Sequence, residues 1–204
     1  MIPVLVGMIV YGLFHSILAS KEAKHLFIQQ FGERAYHGFY RLVFNGVALI
    51  TILPILYLMT LNPEQVIWSI PLKWEPLLMI IQAMGIIGSV VALLQIDLMR
   101  FIGVSQALAY LRGDPLPLTD ETLSTSGVYK LVRHPLYLFS LMLIWPVTTM
   151  TEAYFGWALG ATLYFVIGSI YEERRMLQHY GESYAEYRRS VPWLIPFLKF
   201  GNKS

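Results

Sequence analysis

The stretch "GVYKLVRHPLYLF", Gly127–Phe139, places an Arg-His pair and two tyrosines directly before a long apolar run. Pro135 restricts the preceding His134 to extended backbone, and it can itself begin a helix because the first N–H groups of a helix have no partner within it. We therefore predict that His134 lies at the start of a helix, with Tyr137 in its first turn. The free N–H groups and the positive dipole end of such a helix suit an anionic group of a ligand.

The composition is typical of a membrane protein. Of the 204 residues, 56% are hydrophobic and 14% are charged, whereas a soluble domain has roughly 45–50% apolar residues. The net charge of +2, without a basic stripe, argues against a nucleic-acid partner. The absence of cysteine excludes disulfides, thiolate-held zinc, iron–sulfur clusters and a cysteine nucleophile, and it leaves the redox compartment open.

Five apolar segments are predicted to cross the bilayer as helices, because about 20 apolar residues span a hydrocarbon core of about 30 Å. They are about Met1–Ala19, Tyr40–Leu61, Trp74–Leu98, Leu136–Met150 and Tyr154–Tyr171. The fourth is short and contains a proline, and so few residues separate it from the fifth that we predict a tight helical hairpin. The first has no positively charged leader, so we expect a retained helix rather than a cleaved signal peptide.

The distribution of Lys and Arg predicts the orientation in the membrane. Fourteen of the 15 follow the first, third and fifth segments, and cytoplasmic loops carry an excess of these residues. We therefore expect the N-terminus outside and the C-terminus in the cytoplasm, in the inner membrane of a bacterium. The polar stretches Arg100–His134 and Glu172–Pro192 would then both lie on the cytoplasmic face, where water-soluble cofactors are available.

A second polar stretch, "YEERRMLQHYGESYAEYRRSVPWLIPF", spans Tyr171–Phe197. Glu172 and Glu173 end a predicted span, where the helix dipole is negative, so they require compensating cations or a ligand. An ion-paired helix that continues into the cytoplasm would also explain them. From near Gly181 to Pro192 we predict an amphipathic helix at the cytoplasmic surface. The fold class is therefore all-α, with about five transmembrane helices and this C-terminal amphipathic helix.

The two stretches together resemble the membrane methyltransferases of the isoprenylcysteine carboxyl methyltransferase type, which are related to phospholipid methyltransferases. The matching residues are Thr125–Tyr129, Arg133–Tyr137, Glu172 with Glu173, Tyr180–Tyr187 and Val191 with Pro192. The match covers about residues 120–198, with order and spacing kept. The N-terminal third, with "YGLFHSILASKEAKHLF" at Tyr11–Phe27, is more similar to the branch of methanethiol methyltransferases and denitrification-associated membrane proteins.

The resemblance implies one methyltransferase-like domain over residues 1–204, with a three-helix part (1–98) and a cofactor-binding part (99–204). It implies S-adenosylmethionine as cofactor, no metal, and a small thiol or a lipophilic acceptor that reaches the site from the bilayer. The cofactor contacts that it implies are Thr122, Leu123, Ser124, Tyr129, His134, Pro135, Leu136, Tyr137 and Glu172. Family enzymes that act on prenylcysteine carry a substrate-contacting arginine where this chain has Gly168, which disfavours a prenylcysteine acceptor.

Alternatives to this interpretation concern the histidines and the interfacial residues. His15 and Arg133 are candidates for orienting the acceptor, since an ionisable residue inside a membrane span is a functional-site hypothesis. A hydrogen-bonded interfacial histidine would explain His15 equally, and lipid contacts would explain Arg133. A haem-binding membrane protein is the alternative function, with His15 and His134 as axial ligands, because the N-terminal branch also resembles a haem-containing carotenoid isomerase. An inactive membrane scaffold is a third possibility, and the acceptor and the oligomeric state are left open.

Overall fold

The structure, a computed structural model, describes residues 1–61, 65–119 and 122–198. Its helices are α1 (Ile2–Ala19), α2 (Lys21–Phe31), α3 (Glu33–Leu61), α4 (Glu75–Leu94), α5 (Leu98–Ile102), α6 (Val104–Arg112), α7 (Pro135–Ile144), α8 (Glu152–Tyr180) and α9 (Glu182–Ser190). Two short strands, β1 (Val66–Ser69) and β2 (Thr149–Thr151), and two 3₁₀ turns, Leu72–Trp74 and Gly127–Lys130, complete the described elements. Lys199 and Lys203, which contribute to the predicted charge of the tail, lie outside the described residues.

These residues form two compact units, each made of two chain segments. The first unit comprises residues 1–61 and 97–119, and the second comprises residues 65–96 and 122–198. The chain thus passes from one unit to the other three times. The sequence-based division of a single domain into parts 1–98 and 99–204 stays a prediction.

In the described part of the chain, four helices, α1, α3, α4 and α8, are long and apolar enough to cross a membrane. They match four of the five predicted spans, although α3 begins earlier, α4 ends earlier and α8 continues to Tyr180. The extension of α8 consists largely of good helix formers such as Glu, Arg, Met and Leu, and it ends at Gly181, whose φ is +56°. The end of an apolar run therefore does not mark the end of the helix.

The fourth predicted span is only partly helical. Helix α7 has 10 residues, which corresponds to about 15 Å of helix, roughly half the hydrocarbon thickness. The helix stops just before Pro146, which lacks the N–H needed to continue it. After it the chain forms β2, which pairs antiparallel with β1, with Val66 opposite Thr151 and Ser69 opposite Thr149. The all-α class is confirmed in its coarse form, and a small two-stranded sheet is present in addition among the described residues.

Helices α7 and α8 form the predicted hairpin, but a seven-residue link that includes β2 replaces the tight turn. Thr151 ends β2 and caps α8, because its hydroxyl accepts a hydrogen bond from the Tyr154 N–H at 3.3 Å. The Tyr154 hydroxyl donates to the carbonyl of Ile144 at 2.7 Å. The start of α8 is therefore tied directly to the end of α7.

The first unit contains three helices that the apolar pattern does not predict, α2, α5 and α6. Helix α2 is capped by the Ser20 hydroxyl, and α5 by the Asp97 carboxylate, which accepts from the Arg100 N–H at 3.0 Å. Ser and Asp are preferred N-cap residues, so a local sequence signal for both helices existed. Helix α6 packs on α3 where Gly38 faces Tyr110 so closely that a Cβ at Gly38 would lie 2.7 Å from the Tyr110 Cβ.

In the second unit, α4 packs closely against α7. A Cβ at Gly85 would lie 2.9 Å from the carbonyl oxygen of Phe139, and a Cβ at Gly88 would overlap the Phe139 ring. The small residues of α4 therefore serve close helix contact within the same chain, as small residues do between membrane helices. This packing fixes α7, whose first turn carries the predicted site.

Helix α9 agrees with the predicted C-terminal amphipathic helix in position, with one buried and one exposed face, and its location at the cytoplasmic surface stays a prediction. Its Tyr184 and Tyr187 are 3% and 7% exposed, so they pack against protein. The Tyr187 hydroxyl donates to the carbonyl of Tyr129 at 2.6 Å. After this helix, Trp193 donates through its indole N–H to the Ser169 hydroxyl at 3.2 Å, whereas Phe197 is 93% exposed.

Candidate functional site

The start of α7 lies where the sequence predicts it. His134 is the N-cap of α7 with φ −120°, and Pro135 is its first residue. The backbone N–H of Arg133 donates to the carbonyl of Pro192 at 2.9 Å, and that of His134 donates to the carbonyl of Trp193 at 3.3 Å. The segment after α9 therefore holds the backbone just before α7.

Three of the predicted cofactor residues, His134, Tyr137 and Glu172, lie together. The Tyr137 hydroxyl donates to Glu172 Oε2 at 2.8 Å, and His134 Nδ1 lies 3.7 Å from the same oxygen. The His134 and Tyr137 rings stack with their centroids 5.4 Å apart and an angle of 7° between their planes. On its other side, the Tyr137 ring stacks on Phe165 with centroids 5.1 Å apart. The hydroxyl of Tyr137 is thus aimed at Glu172 by a stack of three rings.

Arg133 is bonded within the protein through two of its three side-chain nitrogens. Its Nε donates to Glu173 Oε1 at 2.6 Å, and its Nη1 donates to the carbonyls of Arg188 at 3.1 Å and Val191 at 2.7 Å. The Arg133 and Glu173 side chains are 11% and 14% exposed. This ion pair joins the start of α7 to α8 and to the end of α9. The role of Arg133 in orienting an acceptor stays a prediction.

The two neighbouring glutamates differ in their partners and their exposure. Glu173 is paired with Arg133, and its Oε1 also lies 3.3 Å from His134 Nε2. Glu172 faces no arginine at ion-pair distance among the described residues, and its side chain is 30% exposed. A buried charge is stabilised by a close partner, whereas a partly exposed carboxylate can receive a ligand. Glu172 is therefore the carboxylate of this pair that a cation from solvent can reach.

Tyr129 lies in the 3₁₀ turn Gly127–Lys130. Burial, and secondly the negative charge of Glu172, raise the pKa of Tyr129 to about 12. The Tyr129 hydroxyl is therefore protonated at neutral pH and able to donate a hydrogen bond.

The remaining predicted cofactor residues lie on both sides of this cluster in the sequence. The Ser124 hydroxyl donates to the carbonyl of Gln95 at 3.3 Å, Leu123 is half-buried and Thr122 is exposed. Pro135 is buried, and Leu136 is half-buried in the first turn of α7. Cofactor contact by each of these residues stays a prediction.

His15 belongs to the first unit, where it is packed between aromatic rings. Its ring centroid lies 4.0 Å from that of Phe44 and 5.8 Å from that of Tyr11. In the second unit, both ring nitrogens of His134 face glutamate oxygens. Haem ligation by His134 would require the loss of one of these contacts, and none of the comparisons below supports the haem alternative.

Sequence reasoning assigned Glu172 to the cofactor but gave no separate role to Glu173 and overlooked Phe165. Phe165 lies seven residues before Glu172, which is two helical turns, and residues with this spacing share a helix face. That spacing was a usable signal for Phe165. The contact between Glu173 and Arg133 joins residues 40 positions apart, and no local pattern indicates it.

Comparison with known proteins identifies a family. Residues 79–183 match the profile of the phospholipid methyltransferase family. A methanethiol S-methyltransferase of Pseudomonas deceptionensis is 38% identical over 109 residues, which are 53% of this chain and 41% of that protein. A second methanethiol S-methyltransferase, from a Pseudomonas species, is 30% identical and covers 96% of this chain and 74% of that protein. A protein-S-isoprenylcysteine O-methyltransferase of Xenopus laevis is 34% identical over 37% of this chain and 29% of that protein.

No solved structure matches the chain. The resemblance to the isoprenylcysteine and phospholipid methyltransferases, predicted from the two polar stretches, is confirmed by these relatives. The matched profile begins in α4 and ends just after the start of α9, so it includes the His134, Tyr137 and Glu172 cluster. The chain belongs to the phospholipid methyltransferase family, a family of membrane methyltransferases.

Proposed function

We propose that the protein transfers a methyl group from S-adenosylmethionine to a small thiol at the cytoplasmic face of the membrane. The observation that carries this proposal is the Glu172 carboxylate, held by the Tyr137 hydroxyl at 2.8 Å beside the start of α7. The relatives named methanethiol S-methyltransferase support the type of reaction and the type of acceptor.

The residues of the cluster fit the charges of S-adenosylmethionine. When bound, this cofactor supplies a methyl carbon made electrophilic by the neighbouring sulfonium. Glu172 would attract its positive groups, and the Tyr129 ring offers a further cation contact. The N–H groups of Leu136 and Tyr137 have no partner within α7, so they can donate hydrogen bonds to the carboxylate of S-adenosylmethionine. One open anion beside free N–H donors is the arrangement that an amino-acid zwitterion requires.

The proposed acceptor follows from the residue at position 168, which is a glycine. A Cβ at Gly168 would lie 3.9 Å from the Tyr137 hydroxyl oxygen, so this position adjoins the cluster. Prenylcysteine enzymes of the family place a substrate-contacting arginine at the corresponding position. Glycine supplies no charge for a substrate carboxylate there, which favours a small uncharged thiol over a prenylcysteine.

The chemistry demands little from acid–base groups. A thiol acceptor would release its proton to water, and its sulfur would form a bond to the methyl carbon of bound S-adenosylmethionine. The electron pair of the broken carbon–sulfur bond would leave with the neutral thioether product, S-adenosylhomocysteine. The residues accelerate this displacement by aligning the reactants and by excluding water from the sulfur nucleophile. Glu172, held by the Tyr137 hydroxyl, would orient the bound cofactor toward the acceptor. The apolar helices would exclude water from the reacting atoms.

The cytoplasmic location rests on charge distribution. Fourteen of the 15 Lys and Arg follow alternate predicted spans, as expected when those loops face the cytoplasm. We propose an N-terminus outside and a C-terminus inside, with α7 and the residues up to β2 together forming the fourth crossing. In this orientation the polar cluster faces the compartment that holds the cofactor.

The test is binding and methyl transfer by the full chain in detergent micelles. We expect saturable binding of S-adenosylmethionine and transfer of a labelled methyl group to methanethiol, with little transfer to a prenylcysteine. Glu172→Gln should weaken cofactor binding at least tenfold, because it removes the open negative charge. Glu186→Gln serves as the matched control, since Glu186 is exposed on α9. Absence of cofactor binding by the unmodified chain, or a Soret band on addition of haem, would overturn the proposal.

A further inference from the structure

Gln95, the residue that ends α4, contacts the segment that carries the predicted cofactor residues. Its side-chain Oε1 accepts a hydrogen bond from the backbone N–H of Val128 at 3.1 Å. Its backbone carbonyl accepts a hydrogen bond from the Ser124 hydroxyl at 3.3 Å. The Val128 N–H belongs to the first residues of a 3₁₀ turn, where no partner exists within the turn. Gln95 thus supplies a partner from another element.

The backbone of Gly127 passes directly against the Gln95 amide. Gly127 has φ +56°, and a Cβ there would overlap the side-chain nitrogen of Gln95. Two independent constraints therefore require glycine at this position, the left-handed backbone and the close approach of the amide. The Gln95 amide therefore packs tightly against the backbone of the turn.

Tyr129 is held from its other side by α9. Its carbonyl accepts the hydrogen bond from the Tyr187 hydroxyl at 2.6 Å. The Gln95 bond to Val128 lies one residue before it. The backbone is therefore held on both sides of Tyr129, one of the residues that we predict to contact the cofactor.

We propose that Gln95 is a positioning residue for cofactor binding. It holds the 124–129 backbone, which carries the predicted cofactor residues Ser124 and Tyr129, in place before the cofactor arrives, and this removes an ordering cost from binding. This inference rests on the proposed function, because it takes S-adenosylmethionine as the ligand that these residues contact. Gln95 lies outside the sequence motif that carries the family resemblance, so only its contacts in the fold indicate this role.

The first test compares Gln95→Met with Gln95→Glu in the full chain. Methionine keeps the length but removes the acceptor, so Kd and KM for S-adenosylmethionine should rise about tenfold, the effect of one lost buried hydrogen bond. Turnover at saturating cofactor should change less than threefold, because no group near the reacting atoms is altered. Glutamate keeps an acceptor oxygen, so its Kd should stay within threefold of the parent value.

Gln82→Met is the matched control, because Gln82 lies on the same helix and makes one side-chain hydrogen bond, to the carbonyl of Leu143 at 3.4 Å. It should leave the cofactor Kd unchanged. Hydrogen exchange at the Val128 amide should accelerate in Gln95→Met and not in Gln82→Met. Unchanged Kd in a folded Gln95→Met variant would overturn the positioning role. If the parent chain binds no cofactor, the proposed function fails and the positioning role with it, and the exchange result then reports only the anchoring of the turn.

A double-variant cycle tests the fit between Gln95 and Gly127. Gly127→Ala should weaken cofactor binding more than Gln95→Ala does, because it adds both a clash and backbone strain. In the Gln95→Ala background the clash is absent, so the further effect of Gly127→Ala should be at least threefold smaller. Equal effects in both backgrounds would contradict a contact between the two residues that matters for binding.

Discussion

At the scale of single residues, the cluster separates two carboxylates that are adjacent in the sequence. Glu173 is ion-paired with Arg133, and its side chain is 14% exposed. The Glu172 side chain is 30% exposed and accepts a hydrogen bond from the Tyr137 hydroxyl. Burial with a partner stabilises structure, and exposure without a cationic partner permits ligand binding. Helical spacing turns consecutive side chains about 100° apart, and this rotation sends the two glutamates to different surroundings.

Tyr137→Phe tests the link between Tyr137 and Glu172. The ring stack with His134 and Phe165 remains, but the hydrogen bond to a charged acceptor is lost, a bond worth about 1.5–3 kcal/mol. We expect cofactor affinity to fall about tenfold or more, measured by titration calorimetry. Tyr154→Phe is the control, because it also loses one tyrosine hydrogen bond, to Ile144 at 2.7 Å. Equal affinity losses in both variants would contradict a specific role for Tyr137.

At the scale of elements, Arg133 joins the start of α7 to α8 and α9. Removal of one partner from a buried ion pair costs about 3–5 kcal/mol. Arg133→Met should therefore lower the thermal midpoint strongly, and Arg133→Lys should restore little, because a single ammonium cannot serve Glu173 and two carbonyls in the geometry of a guanidinium. Arg189→Met is the control, since Arg189 and its partner Glu182 are 67% and 71% exposed. A similar small decrease of the thermal midpoint in Arg133→Met and Arg189→Met would show that the contacts of Arg133 do not stabilise the fold.

Close packing of α4 on α7 gives a second element-scale prediction. Gly88→Ala would place a methyl group into the Phe139 ring, and such overpacking costs about 1–3 kcal/mol. Phe139→Leu in the same chain should recover part of the loss by making space. Gly46→Ala on α3 meets nothing within 4 Å, and a glycine-to-alanine change without strain stabilises by about 0.4–1 kcal/mol. Thermal unfolding in detergent measures all three, and a stabilising Gly88→Ala would refute the packing argument.

At the scale of the whole molecule, buried tyrosines couple stability to alkaline pH. Burial is the largest cause that raises the pKa of Tyr129 to about 12 and the pKa of Tyr184 and Tyr187 above the ordinary value. Negative charge from Glu173 adds to the effect at Tyr184, whereas Arg133 opposes it at Tyr187. An unfolded tyrosine titrates near pH 10. Above that pH the folded state therefore binds more protons than the unfolded state, so stability falls as pH rises.

We expect the thermal midpoint to decline with pH from about 10 upward, with tyrosinate absorbance appearing on unfolding. Tyr187→Phe removes one of the three groups, so its decline with pH should be shallower than that of the parent chain. Its midpoint at neutral pH should also be lower, because the hydrogen bond to the Tyr129 carbonyl is lost. Parallel declines in the two proteins would contradict the titration of Tyr187 as a cause.

The sequence by itself determined the class of protein, four of the apolar helices, the start of α7 and the family. These depend on hydropathy and on local backbone rules, such as the effect of Pro135 on His134, which act within a few residues. Hydropathy was less informative about where a helix ends, as in α8 beyond Tyr171, because helix propensity continues while hydropathy changes.

Only the tertiary structure decided which groups meet. It paired β1 with β2 across 80 residues, placed Glu173 on Arg133 40 positions away, and set Gln95 against Val128 33 positions away. Such contacts arise when helices pack and bring side chains that are distant in the sequence within a few ångströms of each other. The sequence contains several residues of each type, so it does not indicate which of them form a pair. Glu172 and Glu173 have the same side chain, so only their surroundings in the fold distinguish the carboxylate that binds an arginine from the one that faces solvent.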